Sequence, residues 1–272
     1  VRSHEFVICR NREVHFNWYA VQATLARVYW MKGDLDSARI YADKVIRSNK
    51  FRFASKTSLN TFMQKTVSME ETIWGLYNAE VYSDWLTQHV RRQGLGDLTT
   101  DFKSIYAYEG PTGKKDYRLD NWFGIYNRSG TPVDILVKVM GNVSDTTSLT
   151  TSYNGGPYLG TSMIRIPEMY YIMSEALLAT GNAEGAMEYL DAVVDARGME
   201  KFADRTPLVD ITLSDIMAER RKEFIGEGQW WFCLKRLNSP VKLSGATGAT
   251  IPGSDKIYVL PLPVEEEDYR PE

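Results

Sequence analysis

The tightest constraint on this chain is an arginine on the apolar side of a helix. Leu213, Ile216, Met217 and Phe224 recur on one helical side, and Arg220, seven residues after Leu213, falls on that same side. A guanidinium facing a core without a partner would be very costly, so this stretch folds only if carboxylates come to meet it. Glu168, Glu175, Glu223 and Glu227 are the available partners. Upstream, Met169, Ile172, Met173, Ala176 and Leu177 make one apolar stripe of an amphipathic helix, which Gly181 and Asn182 end, with Asn182 as the N-cap of the next helix. Residues 165–236 therefore read as a helix stack stapled by semi-buried ion pairs.

The helical pair over 165–197 has an earlier equivalent over 16–48. Gly33, Ala38, Tyr41, Asp43 and Val45 stand in identical register to Gly181, Ala186, Tyr189, Asp191 and Val193. The small residues suit tetratricopeptide-type hairpins, in which two antiparallel helices approach closely. A stack of such hairpins buries a continuous face only with neighbours, and about 3 units usually stand alone. Two visible pairs therefore call for missing or degenerate partners.

Residues 50–163 differ in kind. Short apolar runs (residues 72–77) alternate with long polar loops, and 122–126 is predicted to form a β-hairpin with 133–139 across the polar stretch 127–132. Residues 141–163 and 238–256, rich in Ser, Thr, Gly and Asn, read as exposed loops, and 257–263 as a terminal strand. The fold class expected is mostly α: tetratricopeptide-like hairpins, a loop-rich insert with short strands, further helices over 213–236, and a single domain.

Several chemistries find no support. A net charge of −3 gives no basic footprint for nucleic acid. The histidines His4, His15 and His89 lack metal-ligand spacing, and neither a Cys-x-x-Cys, a Gly-x-Ser-x-Gly elbow nor a phosphate-binding loop occurs. Neither a catalytic role nor a cofactor is expected. Glu71, Glu80, Asp84, Asp97 and Asp101 read as ordinary surface acids, although a glycosidase would need two carboxylates facing across a cleft. Cys9 and Cys233 allow one disulfide or two unrelated thiols. The opening residues have no apolar signal segment, and no run reaches the roughly 20 apolar residues of a membrane helix.

The order Arg165, Glu168, Ser174-Glu175-Ala176, Gly181, Ala186, Arg197-Gly198, Glu219-Arg220, Glu223-Phe224, Glu227-Gly228 and Lys235-Arg236 resembles the C-terminal signature of the SusD/RagB family. The ending Ile257–Pro263 with Glu265 is similar too. Cys233 departs from the pattern, which carries an aspartate there, and puts one ion pair in doubt. The resemblance implies a nutrient-binding lipoprotein on the outer face of the outer membrane, lipid-anchored outside this chain, which would then lack its N-terminal part. It further implies a SusC-like TonB-dependent transporter as partner, on which the binding protein sits as a lid.

An oligosaccharide ligand suits the insert, because sugars stack their C–H faces on aromatic rings while their hydroxyls need polar partners. Trp85, Trp122, Tyr126, Tyr82, Tyr77 and Asn78 are the candidate binding residues. Strand alternation puts Trp122 and Tyr126 on one face as a stacking platform, with Phe123 and Ile125 toward the core. Trp74, Trp18, Tyr19, Tyr29 and Trp30 read as core, Trp230 and Trp231 as packed beneath the ion pairs, and Asp116-Tyr117-Arg118 as a structural pin. Peptide binding, or a helical-repeat scaffold without a small ligand, are the competing readings.

Overall fold

The computed structural model describes residues 14–60, 67–78, 105–106, 113–138, 143–145, 150–151, 160–242 and 248–261. The chain is mostly α-helical. It begins with α1 (Trp18–Lys32), α2 (Leu35–Ile46) and α3 (Lys56–Asn60). The insert continues with β1 (Thr72–Tyr77), α4 (Tyr117–Trp122), β2 (Phe123–Arg128), β3 (Thr131–Leu136), β4 (Val143–Asp145), β5 (Thr150–Thr151) and β6 (Gly160–Arg165). Then come α5 (Ile166–Ala179), α6 (Ala183–Ala196), α7 (Leu213–Glu223), α8 (Gln229–Arg236), β7 (Val241–Lys242), β8 (Thr250–Ile251) and α9 (Asp255–Tyr258).

The two predicted hairpins form as α1–α2 and α5–α6. Gly33 and Gly181 turn them at φ 80° and 81°, left-handed backbone that glycine adopts without strain. Asp34 and Asn182 then cap the returning helices, accepting from the backbone N–H of Ser37 (3.0 Å) and Gly185 (2.9 Å). Ala20, Ala23, Ala26, Ala38 and Ala42 are all buried, which lets the first pair close. In the second pair the Ser174 hydroxyl donates to the Ala186 carbonyl at 2.7 Å. Helix α2 packs directly on α5, so the hairpins stack although the whole insert lies between them in sequence.

In the insert, β1 pairs with β6 and β2 with β3, both antiparallel. Three expectations need correction here. The β2–β3 turn is only Ser129-Gly130, with φ 49° and 90°, the two positive angles of a type I′ turn, and Asn127 pairs with Pro132 inside the ladder. Residues 160–163 of the expected loop belong to β6, the strand that pairs with β1. Ile257 and Tyr258 lie in a helical turn rather than a terminal strand: both N–H groups reach the Ser254 carbonyl. That turn drives Tyr258 inward, where it packs on Trp231 and donates to the Ser239 carbonyl.

The main core fills the helical stack, and a second one lies under the insert, built from Ala54, Leu59, Tyr106, Trp122, Phe123 and Leu136. Gly198 joins the two parts. It has φ +80°, and a Cβ there would stand 2.4 Å from the Tyr117 ring. The Tyr117 N–H donates to the Arg197 carbonyl at 2.8 Å, so α4 closes on the end of α6 where no larger residue fits.

Candidate ligand-binding face

What holds the insert in place is a buried network of ion pairs. Glu71, Arg118, Lys138 and Arg165 turn inward from the insert and its edge. They meet Arg197 at the end of α6, Glu219 and Glu223 of α7, and Glu227 beyond it. Glu223 is the hub. Its carboxylate accepts from Arg165 Nη1 (2.7 Å), Arg197 Nη2 (2.8 Å) and Nε (3.0 Å), and Arg118 Nη1 (3.2 Å). Glu71 accepts from Arg165 (2.7 Å), Arg197 (2.8 Å) and the Ala54 N–H (2.7 Å). Arg118 also donates to Asp116 at 2.7 Å and Glu219 at 2.8 Å, so this stretch is the structural pin its sequence suggested. Lys138 donates to the Glu223 carbonyl at 2.7 Å, pairs with Glu227 at 2.6 Å, and stands 4.0 Å over the Trp122 ring.

Arg220 finds the partner its position demanded: it donates to Glu168 at 3.1 Å and lies 4.2 Å over the Trp30 ring. Glu71 is buried, which corrects its reading as a surface acid, and Lys138 is buried as well. Both are committed to partners far away in the chain, a placement that local pattern does not reveal.

The electrostatics fit a fastening. Burial by itself would raise the pKa of Glu223, but Arg197, Arg165 and Arg118 overcome it and hold the carboxyl well below its ordinary range. Glu219 and Glu168 are likewise lowered, by Arg118 with Lys222 and by Arg27 with Arg220, against the opposing effect of burial. Burial pushes Lys138 down to about 8, with Glu227 pulling the other way. Carboxyls whose folded pKa lies below the unfolded value of 4.5 add stability above that pH and lose it as pH falls through the folded pKa. Urea melts should therefore keep one midpoint from neutrality to about pH 5 and lose stability steadily below about 4.5. A midpoint unchanged down to about pH 3 would contradict the network's ionised state.

Tyr77 closes β1 opposite Gly160, and exposed Asn78 follows it, so these two stand together at one strand end. Tyr126 is half-buried on the separate β2–β3 hairpin, opposite Val133. Tyr82 and Trp85 lie outside the described residues. The Trp122–Tyr126 platform does not form. Helix α4, capped by Asp116 accepting the Arg118 N–H, runs on through Trp122, so the strand starts one residue later and the indole is 0% exposed in the second core. The assignment of Ile125 to the core also fails. Phe123 opposite Leu136 sits in the second core, whereas Ile125 opposite Asp134 is 52% exposed.

Sequence reasoning also missed an aromatic edge. Trp18, expected in the core, is 56% exposed, because Asn17 caps α1 and leaves Trp18 at its first position ahead of the alanine stripe. Phe16, also exposed, meets half-buried Trp74 of β1 edge-on at 5.0 Å. The cap at Asn17 was the signal that could have found it. Trp231 and Phe232 are exposed on α8, against the expectation that Trp231 is packed beneath the ion pairs.

Comparison with known proteins places these features in context. The profile of the SusD family matches residues 54–251. Among solved structures, a SusD superfamily protein from Bacteroides thetaiotaomicron VPI-5482 superposes with a TM-score of 0.70 at 24% identity, over 93% of this chain and 59% of its own. A SusD-like carbohydrate binding protein from Bacteroides vulgatus ATCC 8482 gives 0.65 at 18% identity, over 92% and 57%. A laminarin binding SusD-like protein gives 0.54 at 19% identity, over 84% and 56%. At these identities the likeness is one of fold, and the chain spans less than three-fifths of each of these structures. No curated protein matches the sequence.

Proposed function

Because this chain belongs to the SusD family, we propose that it captures an oligosaccharide at the cell surface without cleaving it, and delivers it to a SusC-like TonB-dependent transporter. The observation that carries this reading is the fold shared with SusD-like proteins, among them one described as carbohydrate binding and another as laminarin binding. The insert supplies matching chemistry, with aromatic rings for sugar C–H faces beside amide and charged groups for hydroxyls. The binding residues of this reading are Tyr77, Asn78, Tyr82, Trp85 and Tyr126; Trp122, buried in the second core, is not among them. Attachment to the outer membrane through a lipid outside this chain belongs to the same proposal. Among the described residues no helix is long and apolar enough to cross a membrane.

A glycan panel that includes laminarin, read by titration calorimetry, tests the proposal. Trp85→Ala and Tyr126→Ala should each weaken binding by about 3- to 10-fold, the worth of one stacking contact, with an unchanged melting temperature. Folded variants with parental affinity would remove these rings from the site. Absence of binding to every glycan, with binding to peptides, would move the ligand class. The exposed Trp18, Trp231 and Phe232 favour a second reading, protein docking along the helical frame.

A further inference from the structure

Among the described residues, the charge balance around Trp30 is one anion short. Arg27, Arg220 and Arg236 converge there on Glu168 and Glu175, so three guanidiniums face two carboxylates. Around Glu223 the balance closes, because Arg118, Lys138, Arg165, Arg197 and Lys222 meet Glu71, Asp116, Glu219, Glu223 and Glu227. Glu227 also acts on Arg27 through space, but its oxygens are committed to Lys138 and Arg165.

Nε and Nη1 of Arg220 and Nε of Arg236 are buried and donate to no protein acceptor, and Arg220 as a whole is 2% exposed. Buried donors of a charged group are seldom left this way. Both guanidiniums lie over the Trp30 ring, at 4.2 and 4.1 Å, which supports their charge but accepts none of these N–H groups in line. On α8, Gln229, Cys233 and Arg236 follow at i, i+4 and i+7 and share the inward face. Gln229 accepts from Arg220 at 3.4 Å, and the buried, neutral Cys233 lies one turn further along this face, between Gln229 and Arg236 in the helix.

We propose that a small monovalent anion of the halide class binds in the seam between α1, α7 and α8, accepting the N–H groups that Arg220 and Arg236 leave over. Such an anion restores neutrality and links three helices of the frame.

The whole chain is melted in sodium chloride, then in sodium bromide, with sodium gluconate holding ionic strength constant so that general screening cancels. The melting temperature should rise by several degrees as halide increases from about 1 to about 100 mM, as for any ligand of the native state. Cys233→Asp supplies a carboxylate at the same place, so the variant should melt higher in gluconate and lose its halide response. In bromide-soaked crystals of the parent protein, an anomalous peak should lie between the Arg220 and Arg236 side chains. A parent protein indifferent to halide, a Cys233→Asp variant that keeps the parental response, or crystals without that peak would each overturn the proposal. The crystal experiment decides the matter even if the variant does not fold.

Discussion

Replacing Glu223 with alanine should destabilise the protein by about 3–5 kcal/mol, the usual effect of removing one partner from a buried ion pair. In a thermal melt that is a drop of about 10 °C for a chain of this size. The effect is large because one carboxylate serves Arg118, Arg165 and Arg197, each fully buried and unable to turn to water. Glu223→Gln should recover little, since an amide has only one acceptor oxygen and no charge. The control is Glu70→Ala. Glu70 pairs with Arg52 at 2.8 Å, but that arginine is 79% exposed, and such a pair contributes less than about 1 kcal/mol. A Glu223→Ala melt as mild as that of the control would mean that the insert is held to the frame by something else.

Trp122→Ala should cost about 3–5 kcal/mol as well, by a different route. The indole fills the second core against Tyr106, Phe123 and Leu136 and lies under the Lys138 ammonium. Its removal opens a cavity and strips that ammonium of its ring. Lys138 would then keep Glu227 and the Glu223 carbonyl as partners in a looser pocket. The measurement that matters is a pair: the melt, and glycan affinity of the folded fraction at low temperature. A large loss of stability with affinity retained fits a packing residue. A parental melt with affinity lost would return Trp122 to the binding face.

The helical frame was legible because its determinants are local. Gly33 with Asp34 and Gly181 with Asn182 write turn and cap into adjacent positions, and the matched register of Ala38 and Ala186 identifies the repeat. Arg220 was legible too, as a charge on an apolar stripe forces a partner to exist. Glu71 and Lys138 were not, because what buries them lies far off: Glu71 meets Arg165 across 94 residues, and nothing beside either residue marks it as inward. The site was read least well where a period-2 pattern was laid over a boundary. Trp122 ends a helix one residue before the strand begins, and that single residue turns an outward ring inward. Of the remaining candidates, Tyr77 and Asn78 adjoin each other and Tyr126 sits on its own hairpin, an arrangement that depends on β1 pairing with β6 from the far end of the insert.

Since α2 lies directly against α5, the segment between them leaves and rejoins the scaffold at neighbouring points. On the function proposed above, it would serve as an exchangeable cassette. Lengthening a closed loop adds only about 0.6 kcal/mol per doubling, so its tip can be rewritten for a new ligand at small thermodynamic expense. The exceptions are its mooring posts, Glu71, Arg118, Lys138 and Arg165. A graft of this segment onto another such frame must carry those four along with it.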